Sequence, residues 1–171
     1  MELKFRTLKA EEIEVRVDTI NEKYLTLLLY KTARTDAKIL DETVGAMNWE
    51  NEYAVIKGNM YCGITIHDRE NNTKVTKWNC GTESFAEAEK GEASDSMKRA
   101  GFTWGIGVEL YTAPQIKIDS SKVKITTNKN GKFTTYDKFK VEKIKINENT
   151  KEIEGISILN SVGNRVFVWQ K

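Results

Sequence analysis

Apolar and charged residues alternate at Ile13, Val15 and Val17, with Glu14, Arg16 and Asp18 between them. A period of two predicts a half-buried strand. Residues 1–12 read as an extended lead-in with one helical turn. Residues 24–30 (YLTLLLY) are more continuously apolar and fit a strand or a buried turn. Thr35 or Asp36 can then cap a short helix over 37–44, which Gly45 ends. Next come three predicted strands. The first carries Trp49, Tyr53 and Val55, the second spans 60–67 and the third 74–80. Gly58-Asn59 suits a tight turn between the first two, and a polar turn over 68–73 joins the others. On the third strand Val75, Lys77 and Asn79 share one face, and Thr76, Trp78 and Cys80 the other.

The meander feeds into residues 82–114, the stretch around which the chain is organised. Ser84 and Glu87 have capping-box spacing. Ala86, Ala93, Met97, Ala100 and Trp104 recur at helical intervals. The small stripe predicts a helix lying close to a sheet, with Gly101 as its stop. Asp95 precedes Arg99 by four residues, the favourable acid-first order on a helix surface. Past Pro114, the only proline, apolar residues alternate with lysines (Ile116-Lys117-Ile118, Val123-Lys124-Ile125, Phe139-Lys140-Val141, Ile144-Lys145-Ile146). Asn130-Gly131 and Gly163-Asn164 mark hairpins, and 152–159 and 165–169 read as further strands. The expected fold class is α+β: an antiparallel β-β-β-α core packed on the helix, with a β-rich C-terminal extension. Residues 1–114 would form the core, and 115–171 a basic extension belonging to the same compact unit.

Composition adds limits. The chain has 171 residues, 39% apolar and 30% charged, with no 18-residue apolar run to span a membrane. Its first residues lack the apolar core of a signal peptide, so the cytoplasm is the expected location. Cys62 and Cys80 are expected as reduced thiols, and the single histidine, His67, leaves zinc spacings unfilled. The net charge of +2 is unevenly spread: residues 114–147 hold nine lysines against three acids, while residues 1–113 hold 15 basic against 19 acidic residues. The basic block could face phosphates or discourage edge-to-edge strand pairing.

No catalytic constellation stands out. Gly105-Ile106-Gly107 follows a helix rather than opening one, which removes the phosphate-cradle argument, and no GK[ST] loop exists for ATP. No cysteine–histidine pairing or GxSxG elbow supports a nucleophile. Neither enzyme activity nor a metal or other cofactor is expected. Lys74 and Lys77 are uncompensated on their strand, beside Trp78, and could offer single-stranded nucleic acid a basic, stackable surface. Lys98 and Arg99, near a helix C-terminus, could simply offset the macrodipole.

The piece GEASDSMKRAGFTWGIGVELYTAP resembles the signature helix of phage single-strand annealing proteins of the Rad-fifty-two recombination family. LLLYKTAR (27–34), ILDETVGAMNW (39–49) and CGTES (80–84) are similar to phage members in the same order, so the resemblance covers about residues 25–114. It implies single-stranded DNA binding and ATP-independent annealing of complementary strands in recombination and repair. It also implies self-assembly into rings or helical oligomers in a bacterial host cell, with a nuclease or single-strand-binding protein as possible partner. The implied DNA groove carries Lys98 and Arg99, then Arg34 with Lys31 as a weaker neighbour; Lys74 and Lys77 join it from the residue reading. Two positions depart from the family pattern: Phe102 and Val108 stand where relatives often carry a basic residue. Two other classes remain open, a non-annealing single-strand-binding or protein-interaction module and a metal-dependent nuclease.

Overall fold

The computed structural model of the chain describes residues 3–82 and 88–171, the side chains of 88–90 excepted. The capping box expected at Ser84 and Glu87, and Ala86 of the apolar stripe, lie outside the described residues. In order, the elements are β1 (Glu14–Ile20), β2 (Tyr24–Tyr30), α1 (Ala33–Val44), β3 (Trp49–Ile56), β4 (Asn59–Asp68), β5 (Thr73–Cys80), α2 (Ala88–Thr103), β6 (Ile116–Asp119), β7 (Thr126–Thr127), β8 (Phe133–Thr134), β9 (Phe139–Ile146), β10 (Ile153–Asn160) and β11 (Arg165–Gln170). The chain is an α+β protein whose sheets are antiparallel and whose C-terminal region is rich in strands.

The chain divides into two compact units. The first comprises residues 1–6 and 31–108, the second residues 7–30 and 109–171. The boundary expected at Pro114 falls inside the second unit, because strands from both sides of it pair: β2 lies against β6, with Leu25 opposite Ile118.

The first unit is the meander β3-β4-β5 with α2 on one face. Register along both strand pairs is continuous, from Trp49↔Ile66 to Ile56↔Asn59 and from Tyr61↔Cys80 to Asp68↔Thr73. Period two sends Cys62, Ile64 and Ile66 toward the helix side, where they are buried. The other face is open and holds Trp78. Its indole lies across Gly63, where an added Cβ would come within 2.6 Å of the ring. Trp78 is 39% exposed, so it is a lid on the open face rather than part of the core. The β3–β4 turn pair is Lys57-Gly58, with φ of 51° and 79°, the left-handed pair of a type I′ turn. Asn59, expected in the turn, is instead the first residue of β4.

Two helix boundaries differ from expectation. Helix α1 begins one turn earlier, at Ala33, because Thr32 rather than Thr35 or Asp36 is the cap: its side chain accepts from the Thr35 backbone N–H. Gly45 ends it as expected. Helix α2 runs through Gly101 and stops at Gly105, which has φ +88°. The Gly105 N–H donates to the Phe102 carbonyl at 2.9 Å and the Ile106 N–H to the Gly101 carbonyl at 3.0 Å, the two bonds of a Schellman stop. Gly101 serves close approach instead, since a Cβ there would overlap the Asp36 carboxylate. Close packing recurs at Gly81, where a Cβ would meet the α2 backbone at Ser96 N, 2.7 Å away.

The second unit carries the sheets β1-β2-β6 and β11-β10-β9, and the small hairpin β7–β8. The expected strands at 139–141 and 144–146 are one strand, β9, while 123–125 forms no strand. Glu109 is buried here and accepts the Leu8 backbone N–H at 2.6 Å.

Candidate nucleic-acid interface

A helix leaves its last carbonyls without intrahelical donors. In α2 (Ala88–Thr103) the Thr103 carbonyl is one of these and takes its bond from a side chain, and side chains also reach two carbonyls of the turn before. Lys31 Nζ donates to the Lys98 carbonyl at 3.0 Å, Asn79 Nδ2 to the Arg99 carbonyl at 3.3 Å and Lys77 Nζ to the Thr103 carbonyl at 3.0 Å. Two of the three donors are cations, which the negative end of the helix dipole favours. Lys98 and Arg99 lie outside the last turn of α2, and the cation that meets the negative end of the dipole is Lys77.

This arrangement sorts the six sequence candidates. Lys31 is 1% exposed. Its ammonium is ion-paired with Asp36 and sits 4.1 Å from the centre of the Phe102 ring. A buried, fully engaged cation does not offer itself to a phosphate. Phe102, where a basic residue was expected, gives that cation an aromatic face. Lys77 lies on the helix side of β5, over the Trp104 ring at 4.4 Å. Lys74, three residues earlier on a period-two strand, lies on the opposite, open face with Trp78. The joint surface expected of Lys74 and Lys77 is therefore split between two faces.

Lys98, Arg99 and Arg34 remain. Arg34 is exposed on the first turn of α1, with no ion pair among the described residues. That turn is held to α2 by Lys31 and by the fit of Asp36 against Gly101. Lys98 and Arg99 share one carboxylate. Asp95 takes Arg99 Nε at 2.8 Å and Lys98 Nζ at 3.3 Å. It also accepts the Thr82 backbone N–H at 3.0 Å and the Thr82 hydroxyl at 3.1 Å. Partial burial works against its charge, yet the Arg99 bond, the Thr82 amide and the two cations together hold its carboxyl below the ordinary value. The Arg99 side chain is 43% exposed and the Lys98 side chain 23%. Both can turn outward to a phosphate, but each leaves a carboxylate to do so.

Burial is the main force on Asp36 and pushes its carboxyl up to about 7, against the pull of Lys31 and, more weakly, of Lys98. Its Oδ2 has no hydrogen-bond partner among the described residues. Facing it from β4, the Cys62 thiol is raised to about 11, chiefly by burial and in small part by Asp36. Between about pH 4 and pH 7 the folded protein therefore holds a proton on Asp36 that the unfolded chain has released. The contribution of this group to stability falls as pH rises through that window. In urea unfolding at pH 5 and pH 8, the wild type is expected to lose on the order of 2 kcal/mol more than Asp36→Asn across the interval. Parallel pH dependence in the two proteins would contradict that assignment.

The second unit holds another set of cations. Lys122, Lys124, Lys129, Lys132 and Lys138 are exposed around the β7–β8 hairpin, while Lys145 is paired with Glu154 at 2.9 Å. Among the described residues, no three His, Cys, Asp or Glu side chains converge as metal ligands would, and no helix is long and apolar enough to cross a membrane.

Residues 5–133, about three quarters of the chain, match the family described as Rad52/22 family double-strand break repair protein. The chain belongs to the Rad52/22 family. No curated protein and no solved structure matches it. Rad52/22 membership implies a role in DNA recombination and repair. The family match takes in the meander, α2 and the N-terminal hairpin, and ends at Phe133 in the β7–β8 hairpin.

Proposed function

We propose that the protein binds single-stranded DNA and anneals complementary strands without nucleotide hydrolysis. The observation that carries this reading is the seating of Lys98 and Arg99 on the outer part of α2, beside an α1 turn that presents Arg34, within a Rad52/22 domain. Three cations on two interlocked helices suit a phosphate backbone, and phosphate contacts are blind to sequence, as a general annealer requires. No bond making or breaking is asked of the protein, so its role is non-enzymatic. Lys77, on β5, meets the end of α2 through the Thr103 carbonyl. Lys74 and Trp78, on the open face, are a separate basic and aromatic surface. Lys31 supports the site from inside.

The working form is an assembly of several copies, in a ring or helix. Edge strand β3 supports this: it is unbulged, pairs only with β4 among the described residues and leaves Tyr53, Val55 and Ile56 exposed. The resemblance to phage annealers extends the proposal to a phage protein acting in the bacterial cytoplasm beside a nuclease or a single-strand-binding protein.

The decisive experiment mixes two complementary fluorescent oligonucleotides with the protein, without ATP, over a salt series. Pairing faster than the protein-free rate, and slowing as salt rises, is the expected result. Binding without faster pairing would leave a single-strand-binding module. Loss of labelled strand in Mg²⁺, abolished by a chelator, would move the protein to the nucleases.

A further inference from the structure

We propose that the buried Lys31–Asp36 pair is a positioning device: it fixes the first turn of α1, with Arg34, against the last turns of α2, with Lys98 and Arg99. The inference rests on the single-strand-binding reading above and assigns that site a residue pair that cannot touch DNA. Lys31 and Asp36 are both buried, so any effect on a bound strand must pass through their neighbours.

The geometry gives the pair three holds on α2. Lys31 Nζ donates to the Lys98 carbonyl at 3.0 Å, which ties it to the backbone of a cation-bearing residue. The same ammonium lies 4.1 Å from the centre of the Phe102 ring. Asp36, two residues beyond Arg34, fills the space that Gly101 leaves for it. One ion pair therefore links the strand-to-helix junction, the first turn of α1 and the last turns of α2. Two apolar residues of similar bulk would pack there at no greater cost, and buried ion pairs are often matched or exceeded by such replacements. What apolar packing lacks is direction. Hydrogen bonds to the Lys98 carbonyl and the Asp36 carboxylate specify one rotation and one height of α1 on α2, whereas a greasy contact tolerates small slips. A phosphate site built from cations on two helices depends on that register.

The test replaces the pair by apolar residues, Lys31→Met with Asp36→Leu, in the full chain. Thermal unfolding reports folding. Anisotropy with a labelled oligothymidylate over a salt series reports binding. Arg34→Ala is made in both backgrounds. In the wild type, Arg34→Ala is expected to weaken binding about fivefold, as one lost phosphate contact would near 0.1 M salt. In the apolar variant, binding is weakened about tenfold while the protein stays folded, and adding Arg34→Ala changes it less than twofold. A merely stabilising role would leave the Arg34 effect intact. A folded variant with wild-type affinity and the full Arg34 effect overturns the proposal. Should the apolar variant not fold, Asp36→Asn takes its place: a reduced Arg34 effect supports the device and an undiminished one overturns it. If Lys98→Ala with Arg99→Ala leaves wild-type binding untouched, the interface reading itself falls and takes this inference with it. Sensitivity to that pair, with indifference to the apolar swap, defeats the positioning role alone.

Discussion

Alanine at both Lys98 and Arg99 is expected to weaken single-strand binding by roughly ten- to a hundredfold near 0.1 M salt. Each cation that neutralises a phosphate contributes about 0.7 to the slope of log affinity against log salt on single strands, so the double variant should bind with a slope about 1.4 shallower. Salt titration by anisotropy measures both quantities at once. The change has a second component. Asp95 bonds to both residues and would be left facing the strand with neither. Part of the loss is then carboxylate–phosphate repulsion, and adding Asp95→Ala to the double variant should restore that part of the affinity while leaving the shallow slope. A folded double variant with the wild-type slope would take Lys98 and Arg99 out of the interface.

Lys31→Ala is expected to cost roughly 3–5 kcal/mol of folding stability, the usual range when one member of a buried ion pair is removed. Three losses combine: Asp36 is left in the interior without its cation, the Lys98 carbonyl loses a donor, and the Phe102 ring loses the charge above it. Protonation of Asp36, already favoured by burial, limits the damage at low pH. The penalty should therefore be larger at pH 8 than at pH 5. Urea unfolding at the two pH values measures it. A cost below about 1 kcal/mol at pH 8 would mean that the pair is not the buried fastening the geometry describes.

The meander and α2 could be read from the chain because their signals are local. Period two marks β4 and β5, Gly45 marks the end of α1, and the small residues of the α2 stripe announce a close-packed helix. The side-chain partners were harder. Asp95 makes an i,i+4 pair with Arg99 and an i,i+3 pair with Lys98, both local to one helix, but that one carboxylate serves both cations and Thr82 as well is not written in the spacing. Lys31 looked like a surface cation because nothing in KTARTD shows that its partner, Asp36, is carried inward by the first turn of α1. Gly101 looked like a stop because a glycine needed for close approach and one needed for a positive φ are the same letter. The split of Lys74 from Lys77 was available from parity alone, since residues three apart on a strand point to opposite faces. Lys77 as a cap of the Thr103 carbonyl was not, because it depends on how far α2 runs past Gly101.

The single carboxylate between Lys98 and Arg99 bears on time as well as affinity. In the proposed interface an arriving strand would draw Lys98 and Arg99 from Asp95 to its phosphates, and Asp95 would take them back when a phosphate lifts away. With its cations turned to phosphates, Asp95 would keep only the Thr82 amide and hydroxyl, and its charge beside the strand would oppose long residence. A strand held in this way can be let go one phosphate at a time and caught again further along. For the proposed annealer, such a grip would favour rapid sampling of registers over long residence in a wrong one.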